Sequence, residues 1–143
     1  PDGMAMENFF AATLPDSDTL IRWTIGDHGF AMHLSGEVPG RISRALSDED
    51  FRAAILKGRD PSDIAAWAVH AGGRSILDAV ENGLSLPQGA LAEARAVLAE
   101  NGNMSSATLM FVLERLMAER KESGLAMAFG PGLAAEGFAF RAA

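Results

Sequence analysis

Apolar positions along this chain change period repeatedly, and the changes divide it into strands and helices. Met4 to Leu14 is apolar and partly aromatic, and Pro15-Asp16-Ser17-Asp18 closes it with turn chemistry, which predicts a strand. Thr19 to Gly29 carries no decisive period. Phe30 to Leu34 is short and apolar and reads as a strand, followed by a loop over Ser35-Gly36-Glu37-Val38-Pro39-Gly40. From Arg41 to Leu56 the spacing of Ile42, Ala45, Leu46, Phe51, Ala54 and Ile55 predicts helix, broken near Ser47. Asp60-Pro61-Ser62-Asp63 is a turn.

Ile64 to Val69 is an unbroken apolar run, the pattern of a strand covered on both faces. After Gly72-Gly73, Ser75 to Leu84 predicts a short helix with Ile76, Leu77 and Val80 on one side. Ser85-Leu86-Pro87 is expected to open the next helix, with Pro87 in its first turn. That helix buries Leu91, Ala94, Val97 and Leu98 and ends on an Asn101-Gly102 cap. A further helix is expected from Ser105 or Ser106 to about Glu122. Its apolar stripe is Leu109, Val112, Leu113, Leu116 and Met117, and Glu119 to Glu122 is its exposed last turn. Leu125 to Phe129 and Leu133 to Arg141 predict two strands joined by Gly130-Pro131-Gly132. The order of elements gives an α/β domain, a mixed β-sheet packed with α-helices.

At 143 residues, 48% of them hydrophobic, the chain fits a single domain with a real core. Its net charge is −7 and it shows no basic stripe, so nucleic acid is not expected as a partner. Its apolar runs are too short for a membrane span, and its N-terminus lacks the layout of a signal peptide. The absence of cysteine excludes disulfides and thiolate metal sites and fits a reducing compartment, so a cytoplasmic location is expected. Pro1 to Gly3 read as a remnant of expression or processing, or as a cut point in a longer chain.

Candidate chemistry gathers at a few positions. His70 stands where an apolar strand ends and a Gly-Gly turn opens a helix. Ligands of open α/β sheets bind at such strand ends, glycines let them approach the backbone, and a helix N-terminus favours anions. The ordinary reading of a lone histidine, a surface or core residue, stays open. Asn103 lies between one helix end and the next helix start. Asn-Gly-Asn there is ordinary capping and linker chemistry, with Ser105 an ordinary N-cap. Paired with a histidine N–H, the Asn103 amide can instead polarise a carbonyl and stabilise an oxyanion. Phe129-Gly130-Pro131-Gly132 is by itself a tight hairpin turn. His28 and His33 have no obvious third ligand, so no metal site is expected. Asp16, Asp18 and Asp27 read as turn residues, the seven methionines as core filler and Trp67 as core.

Taken together and in order, His70-Ala71-Gly72-Gly73, Gly102-Asn103-Met104-Ser105-Ser106-Ala107 and Phe129-Gly130-Pro131-Gly132 resemble the C-terminal half of type III polyketide synthases. These are the chalcone synthase-like enzymes of the thiolase fold. Leu14-Pro15-Asp16-Ser17, Gly29 to Leu34, Val38-Pro39-Gly40-Arg41-Ile42 and Ile76-Leu77-Asp78 extend the resemblance over nearly the whole chain. Ketoacyl-ACP synthases share the fold, but their usual His-Gln-Ala-Asn, Gly-Asn-Thr-Ser and Phe-Gly-Gly-Gly signals fit less well.

The resemblance implies the C-terminal half of a thiolase-like fold over residues 1–143, with the Cys-bearing N-terminal half elsewhere. It implies an acyltransferase that condenses an acyl-CoA starter with malonyl-CoA by decarboxylative Claisen condensation. CoA thioesters would be substrates, with no cofactor, and the protein would be a homodimer away from membranes. His70 and Asn103 would be the catalytic donors beside the missing cysteine, and the chain alone would be inactive. Met32 falls at a gatekeeper position, Ser105 at a cavity-lining serine, Ser75 where backbone meets CoA, and Phe129 to Gly132 at a bracing loop. Ala71 and Arg74 replace prolines of the family pattern, and Arg74 reads either as a CoA-phosphate contact or as solvated. Trp23 aligns near a small cavity residue of plant members, and with Met32 suggests a bacterial-type cavity. The segment between Gly124 and Phe129 is shorter than in plant members. The alternatives are a stand-alone non-catalytic acyl-CoA-binding or assembly domain, and a ketoacyl-ACP synthase relative.

Overall fold

The elements are β1 (Met4–Thr13), β2 (Ile21–Gly26), β3 (Gly29–Leu34), α1 (Val38–Ser47), α2 (Glu49–Leu56), β4 (Trp67–Val69), α3 (Arg74–Gly83), α4 (Ala92–Asn101), α5 (Ala107–Ala118), β5 (Ser123–Gly130) and β6 (Ala134–Ala142). They come from a computed structural model that describes residues 3–143. The reading of Pro1 and Asp2 as a remnant or cut point lies outside the described residues. The order β1-β6-β5-β4 makes a mixed sheet, with β4 parallel to β5 and the other pairs antiparallel. This is the α/β arrangement that the alternating elements predict. The undecided stretch after Thr19 becomes β2, which pairs with β3 as a separate hairpin.

The sheet is built around two glycines. Gly124 lies opposite Phe140, and Gly137 opposite Phe10. A Cβ on Gly124 would enter the Phe140 ring, and one on Gly137 would sit 2.5 Å from Phe10 Cζ. Each phenyl ring therefore packs on a neighbouring strand's bare backbone. Trp67, Val69, Leu125 and Met127 share one sheet face by register, and all are buried. Ile42, Leu46, Leu77 and Val80 from α1 and α3 complete the core. No helix among the described residues is long and apolar enough to cross a membrane.

Four boundaries differ from expectation, each for a local reason. Helix α1 begins at Val38, inside the predicted loop, because Pro39 in the first turn gives up an N–H that has no intrahelical partner anyway. Strand β4 covers only the end of the Ile64–Val69 run. Ile64 N–H is turned back to the Pro61 carbonyl, and bonding to β5 starts with Leu125 N–H on the Ala66 carbonyl. Helix α4 starts at Ala92, not near Pro87, because Gly89 takes φ 86°, which a right-handed helix cannot contain. Helix α5 stops at Ala118, so Glu119 to Glu122 is no helical turn. Arg120 adopts φ 56°, its N–H reaches the Met117 carbonyl, and Lys121 N–H reaches Leu116, the two bonds of a Schellman cap. The predicted break after Ser47 does occur. Asp48 is extended there and accepts the Phe51 N–H at 2.9 Å as the N-cap of α2.

Candidate active site

The parallel pair β4 and β5 ends at one edge of the sheet, and the candidate residues leave from that edge. His70 continues the ladder by one bond, its N–H donating to the Met127 carbonyl at 2.8 Å. The chain then turns sharply, with Gly72 N–H on the His70 carbonyl at 2.9 Å, before α3 starts at Arg74. A Cβ at Gly72 would lie 3.6 Å from His70 Cδ2 and Nε2, so this backbone lies alongside the imidazole. A Cβ at Gly73 would meet nothing within 4 Å, which leaves the start of α3 open to approach. His70 is half-buried, and its burial lowers its pKa, since a charged imidazole is poorly solvated there.

Asn103 comes from the loop between α4 and α5. Its Nδ2 donates to the Gly72 carbonyl at 3.1 Å, joining that loop to the histidine turn across 31 residues of sequence. Its Oδ1 accepts the Ser105 N–H at 2.9 Å, which fixes which end of the amide faces the histidine turn. Ser105 reaches this geometry with φ 58°. Neither serine caps α5 with its side chain as the sequence suggests. Ser106 holds the N-cap position without a side-chain bond. Thr108, fully buried, accepts the Met104 N–H on its Oγ1 at 2.8 Å instead. Sequence reasoning missed Thr108. The available signal was a polar residue four positions before Val112 and eight before Leu116, in line with the buried stripe of α5.

Strand β5 carries Phe129 and Gly130 beyond Met127 to the same edge. Pro131 to Leu133 then make one short 3-10 turn, with Gly132 at φ 72° and Leu133 at φ 47°. A buried leucine in the left-handed region is uncommon, and it is held by its packing and by Leu14 N–H on its carbonyl at 3.1 Å. This turn packs against β2. Trp23 of β2 and Met32 of β3 are direct cross-strand partners, and the Trp23 ring meets Phe30 edge-on at 6.3 Å. Ser75 is exposed in the first turn of α3, next to Arg74, which is also exposed. His28 lies in the β2–β3 turn and His33 opposite Arg22, so the two belong to the hairpin and not to the edge around His70.

Two arginines brace the helices that carry these loops. Arg95 of α4 reaches Asp78 and Glu81 of α3, both at 2.6 Å. Arg115 of α5 reaches Glu93 and Glu100 of α4 at 2.5 and 3.0 Å. These pairs are partly exposed, so they fix relative placement more than they stabilise the fold.

A family model described as chalcone and stilbene synthases, C-terminal domain, matches residues 5–143. The 1,3,6,8-tetrahydroxynaphthalene synthase of Streptomyces peucetius subsp. caesius is 35% identical over 126 residues, which cover 85% of this chain and 33% of that protein. The crystal structure of PKS-I from the brown alga Ectocarpus siliculosus superposes with a TM-score of 0.86 at 30% identity, over 98% of this chain and 40% of that one. The chain thus spans about a third of the length of that curated relative. Its mixed sheet flanked by helices is a fragment of the thiolase-like fold. The chain belongs to the C-terminal domain family of chalcone and stilbene synthases.

Proposed function

We propose that this chain is the C-terminal domain of a type III polyketide synthase and supplies two hydrogen-bond donors to a Cys-His-Asn site. The bond from Asn103 to Gly72 carries this reading, because it sets a neutral amide against the turn that follows His70. With no cysteine in the chain, the thiolate that accepts the acyl group comes from another part of the parent protein. Malonyl-CoA then loses CO2 by breaking its carboxyl–methylene bond. The electron pair is delocalised onto the thioester oxygen, where His70 N–H and Asn103 Nδ2–H stabilise the enolate. The enolate carbon attacks the enzyme-bound thioester, the resulting oxyanion uses the same donors, and the cysteine thiolate departs. Burial keeps the His70 imidazole neutral near pH 7 in this domain, and a thiolate beside it would draw its pKa back up by ion pairing.

Trp23 paired with Met32, and the Gly-Pro-Gly turn against β2, would wall the cavity, while Ser75 and Ser105 would meet substrate. The name of the similar Streptomyces protein makes a polyhydroxylated aromatic the first product class to test. A cytoplasmic homodimer and an N-terminal half packed against α5 belong to the same proposal. Met110, Phe111 and Met117 of α5 are exposed apolar residues of the kind such a partner would cover.

The test is reconstitution. The Cys-bearing half of the parent is added to this chain, and CO2 release from malonyl-CoA and acyl extension are followed. Activity is expected only from the pair, and it should fall about 100-fold or more with His70→Ala or Asn103→Ala. A folded pair that never decarboxylates malonyl-CoA overturns the reading.

A further inference from the structure

We propose that Thr108 is a positioning residue for Asn103: its buried hydroxyl fixes the loop that aims the Asn103 amide at the histidine turn. This rests on the role proposed for Asn103 above. Among the described residues, only Ser17 and Thr108 are polar side chains inside the core. Ser17 closes a turn, its Oγ donating to the Leu14 carbonyl at 2.5 Å. Thr108 holds a loop from both ends. Its Oγ1 accepts the Met104 N–H at 2.8 Å, and its own N–H donates to the Ser105 carbonyl at 3.1 Å.

These two bonds act on the residues immediately after Asn103. With Met104 tied down, Ser105 keeps its left-handed turn and presents its N–H to Asn103 Oδ1. The amide is then left with Nδ2 facing Gly72. Asn103 itself is exposed, so burial does not hold its orientation. The fixed point in the loop is the buried threonine. A valine would fill the same space without an oxygen, so packing alone does not call for a polar residue there. The Met104 N–H does, because even a partly buried donor left without a partner costs stability.

The experiment uses the full-length parent synthase, with malonyl-CoA decarboxylation as the readout. Thr108→Val is expected to lower kcat about tenfold or more while KM stays within about twofold, the pattern of lost alignment rather than lost binding. Thr108→Ser keeps the oxygen and is expected to restore kcat. In an Asn103→Ala background, Thr108→Val should have no further effect, since it acts only through Asn103. Unchanged kcat in Thr108→Val, or an equal loss with and without Asn103, overturns the proposal. If Thr108→Val does not fold, Thr108→Ala removes the same oxygen at smaller volume and takes its place. A parent that lacks decarboxylase activity refutes the functional reading alone. Crystal structures of the variants then decide, because persistence of the Asn103–Gly72 bond without the Thr108 oxygen overturns the positioning role.

Discussion

The Asn103 side chain donates to the Gly72 carbonyl at 3.1 Å, and this one bond ties the loop before α5 to the turn after β4. Asn103→Asp replaces the donor with a carboxylate oxygen that faces another oxygen. The bond is exposed, so the stability lost on urea denaturation should be only about 1 kcal/mol. If the amide also serves the reacting oxygen as proposed, kcat for malonyl-CoA decarboxylation in the parent falls about 100-fold or more. The two measurements on one variant separate a structural tie from a chemical one. A drop in activity no larger than the drop in stability explains would mean that Asn103 is only a tie.

His70 makes stability depend on pH with a definite sign. Its folded-state pKa is lowered by burial, so the unfolded chain takes up the proton first. The contribution is fully present above about pH 6.5. It is lost progressively as pH falls below that value, and the loss stops once the folded-state pKa is passed. Urea midpoints of the unmodified chain and of His70→Gln, measured from about pH 7.5 down to 5, check this. The unmodified chain should lose more stability over that window. Parallel curves would show that the imidazole is as well solvated folded as unfolded.

Much of this was legible in the sequence, because burial is written in the period of apolar residues. The end of the Ile64–Val69 run, the final hairpin and most of the α5 stripe follow from it, although Met117, expected in that stripe, is exposed. So does the Gly-Pro-Gly turn, whose residue types leave little choice of conformation. Boundaries set by backbone that no pattern announces were not legible. Nothing in the pattern around Arg120 or Gly89 predicts their positive φ, yet the first ends one helix and the second delays another. At the site, His70 and Asn103 could be named from motif order, and their joining through Gly72 could not. Thr108 escaped because its hydroxyl serves a backbone N–H four residues earlier, a contact that only the folded loop creates.

Gly83 marks a close approach of α3 to α1. A Cβ there would lie 2.7 Å from Leu46 Cβ and 2.8 Å from the Ser43 carbonyl oxygen. Gly83→Ala gains at most about 1 kcal/mol of helix propensity, less at the last residue of a helix. Overpacking against a neighbouring helix costs about 1–3 kcal/mol, and the carbonyl cannot move without that helix. The steric effect is therefore expected to win, giving net destabilisation by urea denaturation. A variant at least as stable as the parent chain would show that α1 and α3 can slide apart freely.

The β2–β3 hairpin offers a different kind of test, because its apolar residues other than Ile21 contribute little to the core. The register pairs Trp23 with Met32, Ile25 with Phe30 and Ile21 with Leu34, so all six share one face. Ile21 is buried, whereas Ile25 and Phe30 are 78% and 69% exposed. An apolar surface of this kind drives association when no partner covers it. The isolated chain is therefore expected to self-associate in sedimentation experiments at micromolar concentration. Ile25→Ser combined with Phe30→Ser should weaken that association. Both side chains are already in contact with water, so the urea midpoint should shift by no more than surface substitutions do, about 0.5 kcal/mol. Persistent association would move attention to the exposed Met110 and Phe111 of α5. A large loss of stability would instead mean that the hairpin face folds against the domain in solution.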